Sequence, residues 1–234
     1  MRYTRQELKQ DKFKETAAGA VHWSAEHRQN LIVAAIVVAV VLAAVAGGLW
    51  YRNHNSEQAT TALGTAMQIN EAPIAPKGAA PANVTTFETQ QERAIAAKNA
   101  FYEVSSKYGS TRPGKFARYM AGVNEVQLGN LKVAEEDFKA VSSVSDENVS
   151  TLAKYALASV YRDSNRDNDA IAIYKELIDH PSDSVPKATA QLELAELYSV
   201  KQPEEAKKLY AQIQKDNPKA VVGEVAGQRL SSMK

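Results

Sequence analysis

The stretch DNDAIAIYKELIDHP, residues 167–181, decides the fold, because its helical pattern recurs on either side of it. Ala170, Tyr174 and Leu177 stand at i, i+4 and i+7, which is one face of an α-helix. Thirty-six residues upstream the same face reads Ala134, Phe138 and Val141, and thirty-six residues downstream it reads Ala206, Tyr210 and Ile213. Pro218 follows the last copy, and Pro181 holds the near-equivalent place in the copy before. A half copy is visible earlier in Ala97, Phe101 and Val104. A period of this size, with constant internal spacing, marks stacked supersecondary units, each of which buries its apolar face against its neighbours.

Upstream of each repeated Ala lies a further amphipathic helix with a small residue on its apolar face: Gly122, Ala158 and Ala195. Tyr161 and Tyr198 follow three residues later, while Glu125 takes that place in the first copy. Each unit is therefore a pair of helices. The small residue admits the neighbouring helix, the Ala and the aromatic of the second helix fill the gap, and Pro ends the unit. Residues 219–230 predict a terminal helix that covers the face the last unit would expose. This pattern resembles the tetratricopeptide repeat, a helical hairpin of about 34 residues. It departs from that repeat in its longer period, in Glu125 and in lacking an aromatic at the start of each first helix. The resemblance implies an all-α solenoid over residues 87–234 whose first helices line a groove.

Carried over onto this chain, the groove positions are Phe116, Tyr119, Val123 and Val126; then Leu152, Tyr155, Ser159 and Arg162; then Thr189, Leu192 and Glu196. Tyr119 and Tyr155 stand where repeats that clamp a terminal carboxylate carry Lys, so the expected ligand is an extended or amphipathic polypeptide. The competing expectation is that the chain's own segment 56–70 fills the groove.

Residues 31–50, LIVAAIVVAVVLAAVAGGLW, carry no charge. At ~1.5 Å per residue they span roughly 30 Å, the hydrocarbon thickness of a bilayer, and predict a single transmembrane helix. Arg2, Arg5, Lys9, Lys12, Lys14 and Arg28 precede the run, against only Arg52 and Lys77 in residues 51–80. The positive-inside rule then places residues 1–30 in the cytoplasm as a basic leader and everything from Tyr51 onward across the membrane. Ala44-Val45-Ala46 before Gly47 fits a signal-peptidase site, but the length and four acidic residues of the leader, and the apolar run beyond the site, favour an uncleaved anchor. Residues 51–86 read as an extracytoplasmic helix, with Ala59, Leu63, Ala66 and Met67 at helical spacing, followed by a linker containing Pro73, Pro76 and Pro81. Thr85 and Glu88 offer a capping box for the next helix.

A net charge of +1, with the basic excess in the leader, gives no case for nucleic acid. The absence of cysteine excludes disulfides and thiolate chemistry. Gly109 to Lys115 matches the spacing of a phosphate-binding loop, but Phe116 stands where Ser or Thr would hold Mg²⁺, Pro113 removes a backbone donor, and a helix precedes it, so it reads as an inter-repeat turn. His22 and His27 are five apart, not four, and do not form the H-E-x-x-H metal site. Glu135-Glu136-Asp137 and Glu204-Glu205 are expected at helix starts, opposing the macrodipole. No cofactor, metal, small-molecule substrate or enzymatic activity is expected.

A basic leader, one anchor, a short linker and a repeat array closed by a terminal helix resemble the YfgM-like family of ancillary subunits of the bacterial Sec translocon. That resemblance implies an inner-membrane protein facing the periplasm, which scaffolds a translocon component, a membrane-anchored chaperone or an exported client. A scaffold for cell division or outer-membrane biogenesis is the alternative.

Overall fold

The computed structural model describes residues 28–76 and 84–233, so the leader up to residue 27 and the linker centre, 77–83, lie outside the described residues. Among the described residues there are nine helices and no strand: α1 (Arg28–Asn70), α2 (Gln90–Tyr108), α3 (Arg112–Gln127), α4 (Leu131–Val141), α5 (Glu147–Asp163), α6 (Asp167–Asp179), α7 (Lys187–Lys201), α8 (Pro203–Asp216) and α9 (Val221–Ser232). The chain divides into two units between His54 and Asn55.

The first unit is the apolar part of α1. Its most apolar 18-residue window has a mean hydropathy of 2.9 with no part of it buried, and Ile36, Val40 and Leu42 are all more than half exposed. By length and composition this helix can cross a membrane, and its apolar side chains face outward on all sides, as those of a lipid-solvated helix do.

In the second unit the end of α1, residues 56–70, continues the same helix and packs as the first helix of a hairpin whose second helix is α2. Ala59 and Ala66 are buried against Ala97, Phe101 and Val104, so the half copy in the sequence gains the partner it lacked. Three further hairpins follow, α3 with α4, α5 with α6, and α7 with α8, and α9 closes the array through Ala226 against Ala206, Tyr210 and Ile213. Ala134, Ala170 and Ala206 are fully buried, as are Phe138, Tyr174 and Tyr210. A Cβ added at Gly122 would lie 2.7 Å from Cε1 of Phe138, which is why the position between α3 and α4 admits no side chain. Polar contacts between neighbouring hairpins join residues about one repeat apart. Lys201 pairs with Asp167 at 2.6 Å, Ser184 with Asn148 at 2.9 Å, and Arg166 with Glu135 at 2.9 Å. These are the nearest-neighbour contacts of a solenoid.

Two turns repeat as well. Gly129, after α3, has φ +80°, and Asn165, thirty-six residues on and after α5, has φ +58°. Both are left-handed, a conformation that Gly adopts freely and Asn tolerates. In each turn the next N–H bonds back five residues, Asn130 to Glu125 at 2.9 Å and Arg166 to Tyr161 at 2.8 Å, satisfying carbonyls that the helix end leaves open. Gly129→Ala is expected to cost about 1 kcal/mol, read as a lowered midpoint in urea unfolding of residues 51–234. An unchanged midpoint would show that the turn does not need its left-handed residue.

Two local expectations are corrected. The capping box lies four residues later than expected, because the helix begins at Gln90. Thr89 Oγ1 accepts from Glu92 N at 3.1 Å, and Glu92 Oε2 accepts from Glu88 N at 3.1 Å. Glu135-Glu136-Asp137 does not sit in the first turn of α4, which starts at Leu131, and Asp137 is buried in mid-helix; Glu204 and Glu205 do occupy the first turn of α8. The described ends of the linker meet in one bridge, where Ala75 N donates to Phe87 O at 2.9 Å.

Candidate functional site

The first helices of successive hairpins lie side by side, and an apolar cavity of about 400 Å³ opens among them. Leu63 of α1, Pro113 and Phe116 of α3, and Val149 and Leu152 of α5 form its apolar walls. Its rim is polar: Arg112 Nε pairs with Asp146 at 2.7 Å, and Ser184 donates to Asn148 at 2.9 Å. Leu63 of segment 56–70 is thus one wall of this cavity.

Of the positions expected in the groove, Phe116 and Leu152 line this cavity. Tyr119 does not stand free. Its ring lies 5.8 Å from Phe138 and 5.7 Å from Phe116, and it packs with Val123 and Val126 on the main core. Burial pushes the Tyr119 hydroxyl above the usual tyrosine range. Tyr119→Ala is therefore expected to destabilise the fold by about 2 kcal/mol, from lost burial and ring contact. A melting temperature equal to that of the parent would show instead a free groove tyrosine.

Further along the same face the character changes from apolar to ionic. The Tyr155 ring meets Tyr174 edge-on at 6.0 Å, and its hydroxyl donates to Glu193 Oε1 at 2.9 Å. Arg162 Nη1 holds the other Glu193 oxygen at 2.5 Å. Burial first, then the Glu193 charge, raises the Tyr155 hydroxyl well above its ordinary range, so it stays a donor. Ser159 Oγ lies 3.4 Å from the Tyr174 hydroxyl. Leu192 packs on the last core cluster, and Glu196 pairs with Arg229 of α9 at 3.2 Å.

Sequence reasoning missed Leu63, Pro113 and Val149 in the cavity wall, and Glu193 at the centre of the polar end. Glu193 had a signal: it stands 38 residues after Tyr155 and 31 after Arg162, about one repeat from each.

The Gly109–Lys115 motif forms the turn from α2 into α3, with Thr111 as N-cap. No group of three His, Asp or Glu that could hold a metal occurs among the described residues. In comparisons with known proteins, the model of a family described as a tetratricopeptide repeat-like domain matches residues 22–176, from ahead of α1 into α6. Comparison with curated proteins returns no match.

Proposed function

The chain belongs to the tetratricopeptide repeat-like domain family, and from that membership we propose that it is a membrane-anchored scaffold that seats a polypeptide segment of a translocon component, chaperone or exported client. The observation that carries this reading is the open apolar cavity bounded by Leu63, Phe116 and Leu152 on the face of the first helices. Repeat arrays present such faces as extended binding surfaces. A polar-rimmed apolar cavity of this size fits one or two apolar side chains of an extended or helical segment. Anchorage through α1, with the repeats on the periplasmic side, would hold such a partner at high local concentration beside the membrane. No reaction is part of this reading.

The test is a photo-crosslinking residue at Phe116 of the full chain in native membranes, with one at Lys175, on the exposed side of α6, as reference. A specific adduct from position 116 is expected, reduced about tenfold by Leu152→Asp, which puts a charge in the cavity wall. An adduct with a division or outer-membrane assembly protein would move the scaffold to another envelope machine. Equal adducts from both positions would remove the cavity as the binding surface.

A further inference from the structure

Beyond Glu193, α9 takes the place that the first helix of a further hairpin would hold, packed on α8 and beside α7. A pocket of about 350 Å³ opens there, lined by Glu196 and Ser199 of α7 and by Arg229, Ser232 and Met233 at the end of α9, with Tyr210 of α8 at its base. Tyr210 is only 1% exposed, and its hydroxyl makes no hydrogen bond among the described residues. No fully buried side-chain oxygen or nitrogen lacks a partner among those residues, so the sliver of Tyr210 that reaches the surface is the hydroxyl, open to the pocket. Packing does not call for that oxygen, because Phe138 holds the same place two repeats upstream and is equally buried. Burial first, then the Glu196 charge, raises the hydroxyl above the usual tyrosine range, so it stays a donor. The groups around it are acceptors in part unspent. Glu196 Oε1 accepts from Arg229 Nη2 at 3.2 Å, which leaves its second oxygen open. Ser199 gives its proton to Glu196 O at 2.7 Å and Ser232 gives its own to Arg229 O at 2.7 Å, so both hydroxyl oxygens can only accept.

We propose that this pocket is a second seat for the polypeptide assigned to the Leu63–Leu152 cavity, and that it takes the carboxamide of an Asn or Gln side chain. It rests on the reading of this face as a polypeptide seat. The unspent groups carry the choice of ligand. A carboxamide is neutral and holds an acceptor and two donors in one plane. Its oxygen takes the proton of the Tyr210 hydroxyl, and its N–H groups meet the free Glu196 oxygen and the serine oxygens. Glu196 and Arg229 cancel each other's charge, so a neutral group leaves their pair intact, whereas a carboxylate would meet Glu196 and a Lys or Arg would meet Arg229. A basic side chain also brings no acceptor for the Tyr210 proton. An apolar side chain would seal that hydroxyl in without a partner, which is the penalty by which a hydrogen-bonding site rejects an analogue that lacks the matching group. The pocket shares no residue with the cavity, so failure of one seat is distinguishable from failure of the other.

The test uses the full chain in native membranes, with a photo-crosslinking residue placed either at Phe116 or at the partly exposed Met233 on the pocket rim. Both positions are expected to capture the same partner, and the partner segment joined at 233 to carry Asn or Gln at the crosslinked place. Exchanging that partner residue for Asp or Glu, which keeps the shape and adds a charge, should cut the 233 adduct about tenfold. Tyr210→Phe removes only the donor and should lower both adducts about fivefold with an unchanged melting temperature. Should that variant melt lower, the exchange in the partner, which leaves this chain untouched, decides. An adduct at 116 with none at 233, or adducts that a stably folded Tyr210→Phe protein leaves unchanged, overturns the second seat and leaves the cavity standing. A segment at 233 without Asn or Gln, or one that tolerates the exchange for Asp or Glu, overturns the carboxamide. No adduct at either position removes both readings together.

Discussion

Gly114→Ala is expected to cost the repeat unit about 3 kcal/mol or more, lowering its melting temperature by roughly 10 °C. The added Cβ would lie 1.9 Å from the carbonyl oxygen of Tyr108 and 2.4 Å from its carbon, both backbone atoms that cannot rotate away. The crowding has a local cause. Thr111 Oγ1 donates to Tyr108 O at 2.7 Å and accepts from Gly114 N at 3.1 Å, drawing the start of α3 onto the end of α2. Pro113 fits because a first-turn residue has no helical acceptor for its N–H. Phe116 and Arg112 lie on that same turn, so pushing it outward would also disturb the cavity wall and the Arg112–Asp146 pair. Gly64→Ala is the control: nothing lies within 4 Å of its Cβ position, and replacing a mid-helix glycine should stabilise by about 0.5–1 kcal/mol. Opposite shifts in thermal unfolding, followed by helical circular dichroism, are the expected result. A Gly114→Ala protein that melts with the parent would mean that α2 and α3 do not meet as described.

The repeat register was legible in the sequence because it rests on size. Ala134, Ala170 and Ala206, and the aromatic four residues after each, sit where only small and large side chains respectively fit, and all are buried. Periodicity says nothing about pairing between elements, and that is where the rest lay hidden. Segment 56–70 shares one unbroken helix with the apolar run and is separated from α2 by the linker, so its place as a first helix left no local mark. Glu125 reads as a defect where its counterparts are Tyr161 and Tyr198. In the fold it is buried and accepts from Lys98 at 3.1 Å, Tyr102 at 3.2 Å and Asn130 at 2.6 Å, partners drawn from α2 and from the turn before α4. The positions expected to line a groove share a helical face by the same spacing, but a shared face is not a free surface. Tyr119 leans on Phe138, and the Tyr155 hydroxyl is taken by Glu193.

Asp137→Ala is expected to cost about 3 kcal/mol, since removing one member of a buried charged network leaves its partners uncompensated. Asp137 is buried on α4, accepts from the Tyr102 hydroxyl at 2.6 Å and is paired with Arg118, while Tyr102 also reaches Glu125. Tyr102 thus joins two buried carboxylates across three helices. Their environments push them in opposite directions. Burial raises the Asp137 carboxyl above its usual range despite Tyr102 and Arg118. Burial also pushes Glu125 up, but Asn130, Lys98 and Tyr102 together outweigh it and hold the carboxyl below its usual range. The linkage signs follow. A raised folded value means that the native state takes up a proton more readily than the unfolded chain, so the Asp137 contribution grows as pH falls from above its folded value to its unfolded one near 3.9. The Glu125 contribution is complete above its unfolded value near 4.3 and is lost as pH falls through its folded one. The two slopes oppose each other in the parent protein, and removing either carboxylate exposes the other. In denaturant midpoints between about pH 7 and pH 3, Asp137→Asn should lose stability more steeply than the parent, and Glu125→Gln less steeply. The other carboxylates are common to all three proteins and cancel in the comparison. Parallel curves would show that the two groups titrate alike, and that Tyr102 does not hold them in different environments.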